Sequence, residues 1–297
     1  GARLQACAVV LAVGNALRPL QASGAQALSP AQLVQAWDFD AVQAIDPAAT
    51  VCIVGSGLSM ADCIVSLRAN GHRGAVHVMS RHALLPLPHG YGAPAQFEPE
   101  ALMGLDLRQR VRALRQQVIE AEENQQPWQV VMDRLRPHGQ ALWLSLSDAD
   151  QRRFLRHVVR YWDVHRHRIA ASVHQQLLQW QAEGQLQLHR GRLDSLALDG
   201  GQVRINAHGR DGAALQLQAD CVINATGVEM RARSMHNVLL QQMLSDGEAV
   251  AGPHGIGINP DVQGNLVHAS GASIAQVQVV GSLRIGRLWE SLAIPEL

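Results

Sequence analysis

The chain has 297 residues, 47% of them hydrophobic and 17% charged, enough apolar material for a sizeable core and too much for a disordered polymer. Arg plus Lys equals Asp plus Glu at 25 each, so bulk charge gives no reason to invoke a nucleic acid or an anionic membrane. All 25 of those basic residues are arginine; without lysine this chain forms no side-chain Schiff base and has no Walker A lysine, which excludes lysine-bound pyridoxal phosphate, class I aldolase, P-loop ATPase and ordinary kinase chemistry.

In chain order, the apolar run of residues 6–13 predicts a strand buried on both faces, ending at Gly14-Asn15. The Pro, Gly and Ser scatter to about residue 30 reads as loop. Residues 50–54 predict a second buried strand, turned by Gly55-Ser56-Gly57 into a helix from Leu58 to Asn70 that Gly71 stops. Residues 75–79 predict a third strand, so 50–80 read as one βαβ unit. Residues 84–99 read as loop, and from about 100 to 182 the apolar residues keep a helical period and include four of the six tryptophans. After Gly184 the period becomes two, from Leu186 and Leu188 through Leu217, which predicts a β-meander with glycine turns. Residues 219–224 predict another buried strand ending in Ala225-Thr226-Gly227. A last strand follows at Gln276–Val280, then Gly281 and an apolar segment from Trp289 to Ala293.

The four cysteines, Cys7, Cys52, Cys63 and Cys221, form no CxxC pair. They read as small buried hydrophobes of a reducing, cytoplasmic protein rather than a disulfide framework, zinc ribbon or redox dithiol. No apolar run reaches the roughly 18 residues of a membrane span. No apolar region precedes Cys7, so a secretion signal is not read; an opening of Gly-Ala-Arg without Met reads as a piece that starts mid-domain.

Gly55-Ser56-Gly57 stands where a dinucleotide fingerprint belongs. The first glycine permits a tight turn, and the second lets the backbone approach a pyrophosphate that the helix N-terminus, at Leu58, binds through free N–H groups and its dipole. The third position of the pattern is Met60 rather than Gly or Ala, and a ligand-free glycine turn is the other reading. The next strand ends in Met79-Ser80-Arg81-His82. No acid is present for a ribose 2′-hydroxyl, whereas Ser80 and Arg81 offer a hydroxyl and a guanidinium to a 2′-phosphate, so NADP is expected over NAD. Leu11-Ala-Val-Gly14-Asn15 and Ile223-Asn-Ala-Thr226-Gly227 are alike: each is an apolar strand stopping at a small residue and Gly, where the chain can turn beside a dinucleotide. The stretch Arg152–Arg168 holds six Arg and three His with Tyr161 and Trp162 between them. It reads first as a solvated or salt-bridged helix face, with a cofactor phosphate or anionic substrate as the alternative and nucleic acid disfavoured by the neutral chain. No HExxH, Ser-His-Asp order or carboxylate pair supports a metal site or hydrolase chemistry.

Taken together, Leu11–Asn15, Val54–Asp62, Ser80–Pro86 and Ala225–Gly227 resemble the two-dinucleotide flavoproteins that bind FAD and NAD(P). More narrowly they resemble the FAD/NAD(P)-binding family that includes YdhS-like proteins. Trp128–Pro137, Arg153–His157, Tyr161–Arg168, Val280–Glu290 and Ile294–Leu297 fit the same resemblance, which covers essentially the whole chain. It implies an α/β fold: a Rossmann-type NAD(P) domain at 46–227 with a helical insertion at about 100–182. Residues 1–45 would then be a residual FAD-domain strand and linker, and 228–297 the closing part of the FAD domain. Gly281 to Glu290, with Trp289, would be a flavin contact. No strand–GxGxxG–helix unit precedes Gly55, so FAD belongs to the parent protein and is not expected to stay tightly bound here. The implied activity is hydride transfer from NADPH to flavin, followed by electron transfer or O₂ activation, with an unassigned small-molecule substrate or acceptor and catalytic side chains unassigned. The exposed FAD-domain edge favours a homodimer. The other reading is a non-catalytic NAD(P)-binding or sensor module acting through its helical insertion.

Overall fold

The computed structural model describes residues 5–289. The strands in chain order are β1 (Val9–Leu11), β2 (Ala16–Leu17), β3 (Leu33–Gln35), β4 (Val51–Val54), β5 (Val76–Ser80), β6 (Leu186–Arg190), β7 (Arg192–Asp199), β8 (Gln202–His208), β9 (Ala214–Ala219), β10 (Cys221–Asn224), β11 (Val228–Glu229), β12 (Asn265–Val267) and β13 (Ser273–Val279). The helices are α1 (Phe39–Gln43), α2 (Leu58–Ala69), α3 (Leu107–Glu123), α4 (Gln129–Leu135), α5 (Gly139–Leu144), α6 (Asp148–Arg153), α7 (Val159–Arg166), α8 (Ala171–Ala182) and α9 (Val238–Asp246). Two compact units result. One comprises Pro19–His89 and Arg160–Gly227; the other comprises the chain through Arg18, Gly90–Val159 and the chain from Val228 on.

The first unit is built on a five-stranded parallel sheet ordered β3-β10-β4-β5-β6. Every residue of β4 and β10 is buried, as central strands of a parallel sheet covered on both faces must be. The two faces separate by alternation along each strand. Ile53, Val78 and Ile223 pack with Met60, Ile64 and Leu67 of α2 and Leu177 and Trp180 of α8. Cys52, Val54, Met79 and Val222 face the other way, against Leu196, Val203 and Ile205 of an antiparallel sheet ordered β7-β8-β9. The unit is therefore a Rossmann-type α/β fold with helices on one face and a β-meander on the other. The βαβ unit runs β4-α2-β5, with Gly71 at φ +70° just past the helix end.

β6 departs from the sequence expectation. Leu186 and Leu188 open no meander; β6 is the fifth parallel strand, paired with β5 from Val76↔Leu186 to Ser80↔Arg190. Period-two alternation marks a strand without naming its neighbour, and α8 is what returns the chain to the sheet edge.

In the second unit β1 pairs in parallel with β13, which pairs antiparallel with β12. Leu11, Leu240, Met243, Ile258, Leu266 and Val279 form its core with α9. β1 is shorter and more exposed than its apolar run predicts: Leu11 is buried, but Val9 is 47% and Val10 55% exposed, and because successive side chains point to opposite faces, neither face is covered at that end of the edge strand. The helix-rich stretch also divides differently from the expected insertion at 100–182. Gly90–Val159 belongs to the second unit, where Trp143 of α5 stacks on Trp289 at 4.7 Å and Gln151 of α6 receives a 2.8 Å hydrogen bond with the His254 ring. α8, by contrast, packs on the parallel sheet. Helical spacing shows that a face is buried, not what covers it. The expected segment Trp289–Ala293 lies, beyond Trp289, outside the described residues, as do Glu290 and Ile294–Leu297. Among the described residues no helix is long and apolar enough to cross a membrane.

Ile223→Ala, which empties a fully buried site between sheet and helices, is expected to cost about 2–5 kcal/mol. Val10→Ser at the exposed edge is expected to stay within about 0.5 kcal/mol. Urea midpoints of the two variants check both values.

Candidate functional site

The C-terminal ends of parallel strands are where open α/β sheets bind ligands, at the point where strand order reverses. Here the chain leaves β4 toward β5 on one side, while β10 and β3 lie on the other. The turn after β4 sits at that switch. Gly55 has φ +112°, its N–H donates to Met79 O at 2.8 Å, and a Cβ built on it would lie 2.2 Å from Ala225 O. Only glycine fits, on both conformational and steric grounds.

Gly57 is glycine for a different reason. Its φ of −96° and ψ of −158° suit any residue, and a Cβ there would have only Arg160 Nη1 within 4 Å, at 3.7 Å. The fold makes no demand for glycine at 57, yet the space above it is kept clear. Gly57 caps the 12-residue α2 with no side-chain hydrogen bond, and no acidic residue occupies the first turn. The first N–H groups of α2 and the positive end of its dipole are thus left to an anion. A cradle that a Cβ would fill, at an uncapped helix start beside a guanidinium, fits a dinucleotide pyrophosphate. Met60, which departs from the glycine pattern, is fully buried in the helix–sheet core, so its side chain points away from the turn.

Ser56 is buried at the base of the turn and knots three segments together. Its hydroxyl donates to Leu84 O at 2.7 Å and contacts Ser80 Oγ at 2.8 Å. Arg160, the second residue of α7, donates through Nη2 to Ser56 O at 2.9 Å, Leu84 O at 3.1 Å and Ser56 Oγ at 3.3 Å. Burial lowers the Arg160 pKa, Asp163 opposes that shift, and the nearby Arg81 adds to it; a guanidinium stays charged regardless. Of the basic stretch Arg152–Arg168, Arg160 reaches the turn. The composition marked the stretch, but a contact spanning 104 residues has no local signature.

Ser80 ends β5, and its hydroxyl is engaged by Ser56 and by the Ala83 N–H at 3.0 Å. It shapes the loop that presents Arg81, which is exposed. His82 lies against Tyr161 with ring centroids 6.0 Å apart. Burial lowers the His82 pKa, and Arg81, Arg190, Arg160 and Arg210 lower it further, so the imidazole is neutral among cations.

On the other side of the switch, Thr226 donates from N–H and Oγ1 to Asn224 Oδ1, at 3.2 and 2.7 Å, while Asn224 Nδ2 donates to Gln35 Oε1 at 3.0 Å. This chain of bonds holds Ala225 against Gly55 and leaves Gly227, at φ +85°, with nothing within 4 Å of a Cβ position. Trp37 follows β3, donates its indole N–H to Ser59 Oγ in the first turn of α2, and is 39% exposed. The contact joins residues 22 apart in sequence and has no local signature.

Leu58, Ser80, Arg81, Thr226 and Gly227 are thus on the same sheet rim as Gly55-Ser56-Gly57. Gly14, Asn15, Gly281 and Trp289 belong to the second unit. There Ser282 Oγ donates to Gly14 O at 3.4 Å, joining the turns that follow the paired strands β1 and β13. Trp289 is buried against Trp143 and Phe154. Cys52 and Cys63 thiols are pushed up to about 12 and Cys221 to about 11, burial first, so all three stay protonated and inert. Among the described residues no cluster of His, Cys, Asp and Glu could hold a metal ion.

No family model matches this sequence. No curated protein matches it either. Among solved structures, the chain is similar to the ornithine N-hydroxylase of Kutzneria sp. 744, described with reduced FAD, NADP⁺ and L-ornithine: TM-score 0.58, 12% identity, 96% of this chain and 59% of that one. It is similar to the ornithine hydroxylase of Pseudomonas aeruginosa in reduced form, at TM-score 0.57 and 14% identity over 96% and 58%. The FAD-bound cadaverine monooxygenase of desferrioxamine biosynthesis from Erwinia amylovora matches at TM-score 0.54 and 13% identity over 94% and 55%. The chain spans less than two thirds of each of these proteins, and at such identities the likeness is one of fold.

The two glycines of the turn are expected to separate by experiment. Gly55→Ala forces a side chain onto Ala225 O at positive φ and is expected to destabilise the chain by about 2 kcal/mol or more. Gly57→Ala is expected to leave the thermal midpoint within a degree or two. Thermal melts of the two variants give the comparison.

Proposed function

We propose that this chain supplies the NADPH-binding part of a FAD-dependent NAD(P)H oxidoreductase with a monooxygenase-like architecture. The observation that carries the reading is the start of α2: a glycine cap without a side-chain acceptor, clear space over Gly57, and Arg160 alongside. A pyrophosphate laid there accepts from the first N–H groups of α2, with Arg160 Nη1 as its counter-charge. Ser56 and Leu84 O hold the other guanidinium nitrogen, so Arg160 is already oriented before a ligand arrives. Ser80 and Arg81, one strand over, face the ribose of the adenosine half. Thr226 and Gly227, across the switch, border the nicotinamide half. When bound, NADPH would supply a hydride donor at this rim, chemistry that belongs to the cofactor. The fold shared with FAD- and NADP-containing hydroxylases supports a flavin as the partner redox group.

Gly14, Asn15, Gly281 and Trp289 are the residues proposed for the flavin side. The open turns at Gly14 and Gly281, both with nothing within 4 Å of a Cβ position, suit a ring or ribityl contact. Among the described residues no second strand–GxGxxG–helix turn offers a site for the flavin pyrophosphate. FAD therefore fits these residues only in part, and no step is assigned through it.

Calorimetry is expected to show NADPH binding about tenfold or more tighter than NADH, with Arg81→Ala removing much of the difference, since a charge-assisted phosphate contact is worth about 1.5–3 kcal/mol. Gly57→Val is expected to abolish binding of both nucleotides while the thermal midpoint holds; unchanged affinity would reduce Gly55-Ser56-Gly57 to a turn. An absorbance scan of the dialysed 297-residue polypeptide is expected to show no stoichiometric flavin. A 1:1 flavin spectrum would assign the glycine turn to the wrong cofactor.

A further inference from the structure

We propose that Arg190 and Arg210 together clamp the 2′-phosphate of NADPH, so that the tip of the β8–β9 hairpin joins Arg81 in setting the preference for the phosphorylated cofactor. The inference rests on the nucleotide reading above.

The placement follows from register. Arg190 ends β6 directly beside Ser80, the last residue of β5, and the next residue, Gly191, donates its N–H to Ser80 O at 3.0 Å. From the turn after β4 to Arg190 is two strand spacings, about 10 Å, the lateral distance a nucleoside covers beyond its pyrophosphate. The hairpin arrives by the same logic. Arg192 pairs with His208 at the end of β8, and a Cβ on Gly191 would lie 3.2 Å from His208 O, so the missing side chain lets the hairpin close on the end of β6. The hairpin tip is tied to itself: Gly209 N donates to Ala213 O at 2.8 Å, Gly212 N to Gly209 O at 3.1 Å, and Ala213 N to Asp211 Oδ1 at 3.1 Å. Arg210 sits in that turn and lines one pocket with Arg190.

Between them lies an open pocket of about 390 Å³ lined by Arg190, Gly209, Arg210 and Asp211, ample for a phosphate. Asp211 is its one acid, and its Oδ1 accepts from the Ala213 N–H within the turn. Among the described residues neither Arg190 nor Arg210 forms an ion pair with a carboxylate, and both are exposed. With Arg81 and Arg160 they bring four guanidiniums within electrostatic reach of His82. Like charges gathered at one rim repel until a multivalent anion is shared among them. Planar guanidiniums from two different elements match a phosphate's several oxygens better than one exposed arginine does.

The test is calorimetric titration of Arg190→Ala, Arg210→Ala and the double variant with NADPH, NADH and 2′,5′-ADP. The clamp predicts that the double variant loses tenfold or more in affinity for NADPH and 2′,5′-ADP, with NADH affinity within twofold of the parent and an unchanged thermal midpoint. Parent-like NADPH affinity in the double variant overturns the clamp and leaves the phosphate to Arg81. An equal loss for NADH also overturns it, because the arginines would then serve the loop or the pyrophosphate. If the parent chain binds neither NADPH nor NADH, the nucleotide reading itself fails, an outcome distinct from a parent that binds both and variants that match it.

Discussion

The main chain after β4 runs against the main chain after β10 with no room for a side chain between them, and the candidate site depends on that contact. β4 and β10 are parallel neighbours, in register from Val51↔Cys221 to Val54↔Asn224. Both chains must turn away at the same height, and Gly55 and Ala225 meet there. The contact is fixed from both sides: by the positive φ of Gly55 and by the Gln35–Asn224–Thr226 hydrogen bonds. It sends one chain into α2 with an uncapped start and leaves Thr226-Gly227 beside it. A strand-to-helix turn one side chain wider would neither present the backbone of Gly57 nor bury Ser56.

Burying Ser56 creates a polar group that must be satisfied, and its partners organise the electrostatics of the rim. Its hydroxyl and carbonyl, with Leu84 O, receive a half-buried guanidinium. An ammonium would serve less well, because a fork of planar donors can bond one nitrogen to three oxygens and still offer the other outward. The all-arginine composition thus acquires local meaning at Arg160. The remaining rim arginines stay in water, where the cost of proximity is moderated by solvent. Burial first, and these same charges after it, lower the His82 pKa.

The β-meander serves the sheet twice. Its inner residues Leu196, Val203 and Ile205 cover the face that α2 and α8 leave bare, which a parallel sheet requires. Its β8–β9 turn then reaches the strand ends. One antiparallel layer therefore both completes the core and extends the rim, and the link between the two roles is a ladder register rather than a flexible loop. The ladders run up to His208 and Ala214, the two residues from which the turn carrying Arg210 departs.

Much of this was legible in the sequence. The βαβ unit, the glycine turn, the helix stop at Gly71, the buried central strands and the meander all follow from short-range patterns: hydrophobic period, glycine placement and strand-end chemistry. The sequence by itself determined a Rossmann-type sheet with a glycine turn at Gly55–Gly57 between β4 and α2. The tertiary structure alone decided which strand β6 joins, how the helices of 100–182 divide between two units, that β1 is an exposed edge, and that Arg160, Arg190 and Arg210 share a rim with Arg81. Period and turn residues report a residue's relation to its nearest neighbours along the chain. Pairing partners and charge clusters are set by contacts between segments tens to more than a hundred residues apart, and such contacts leave no mark in the local pattern.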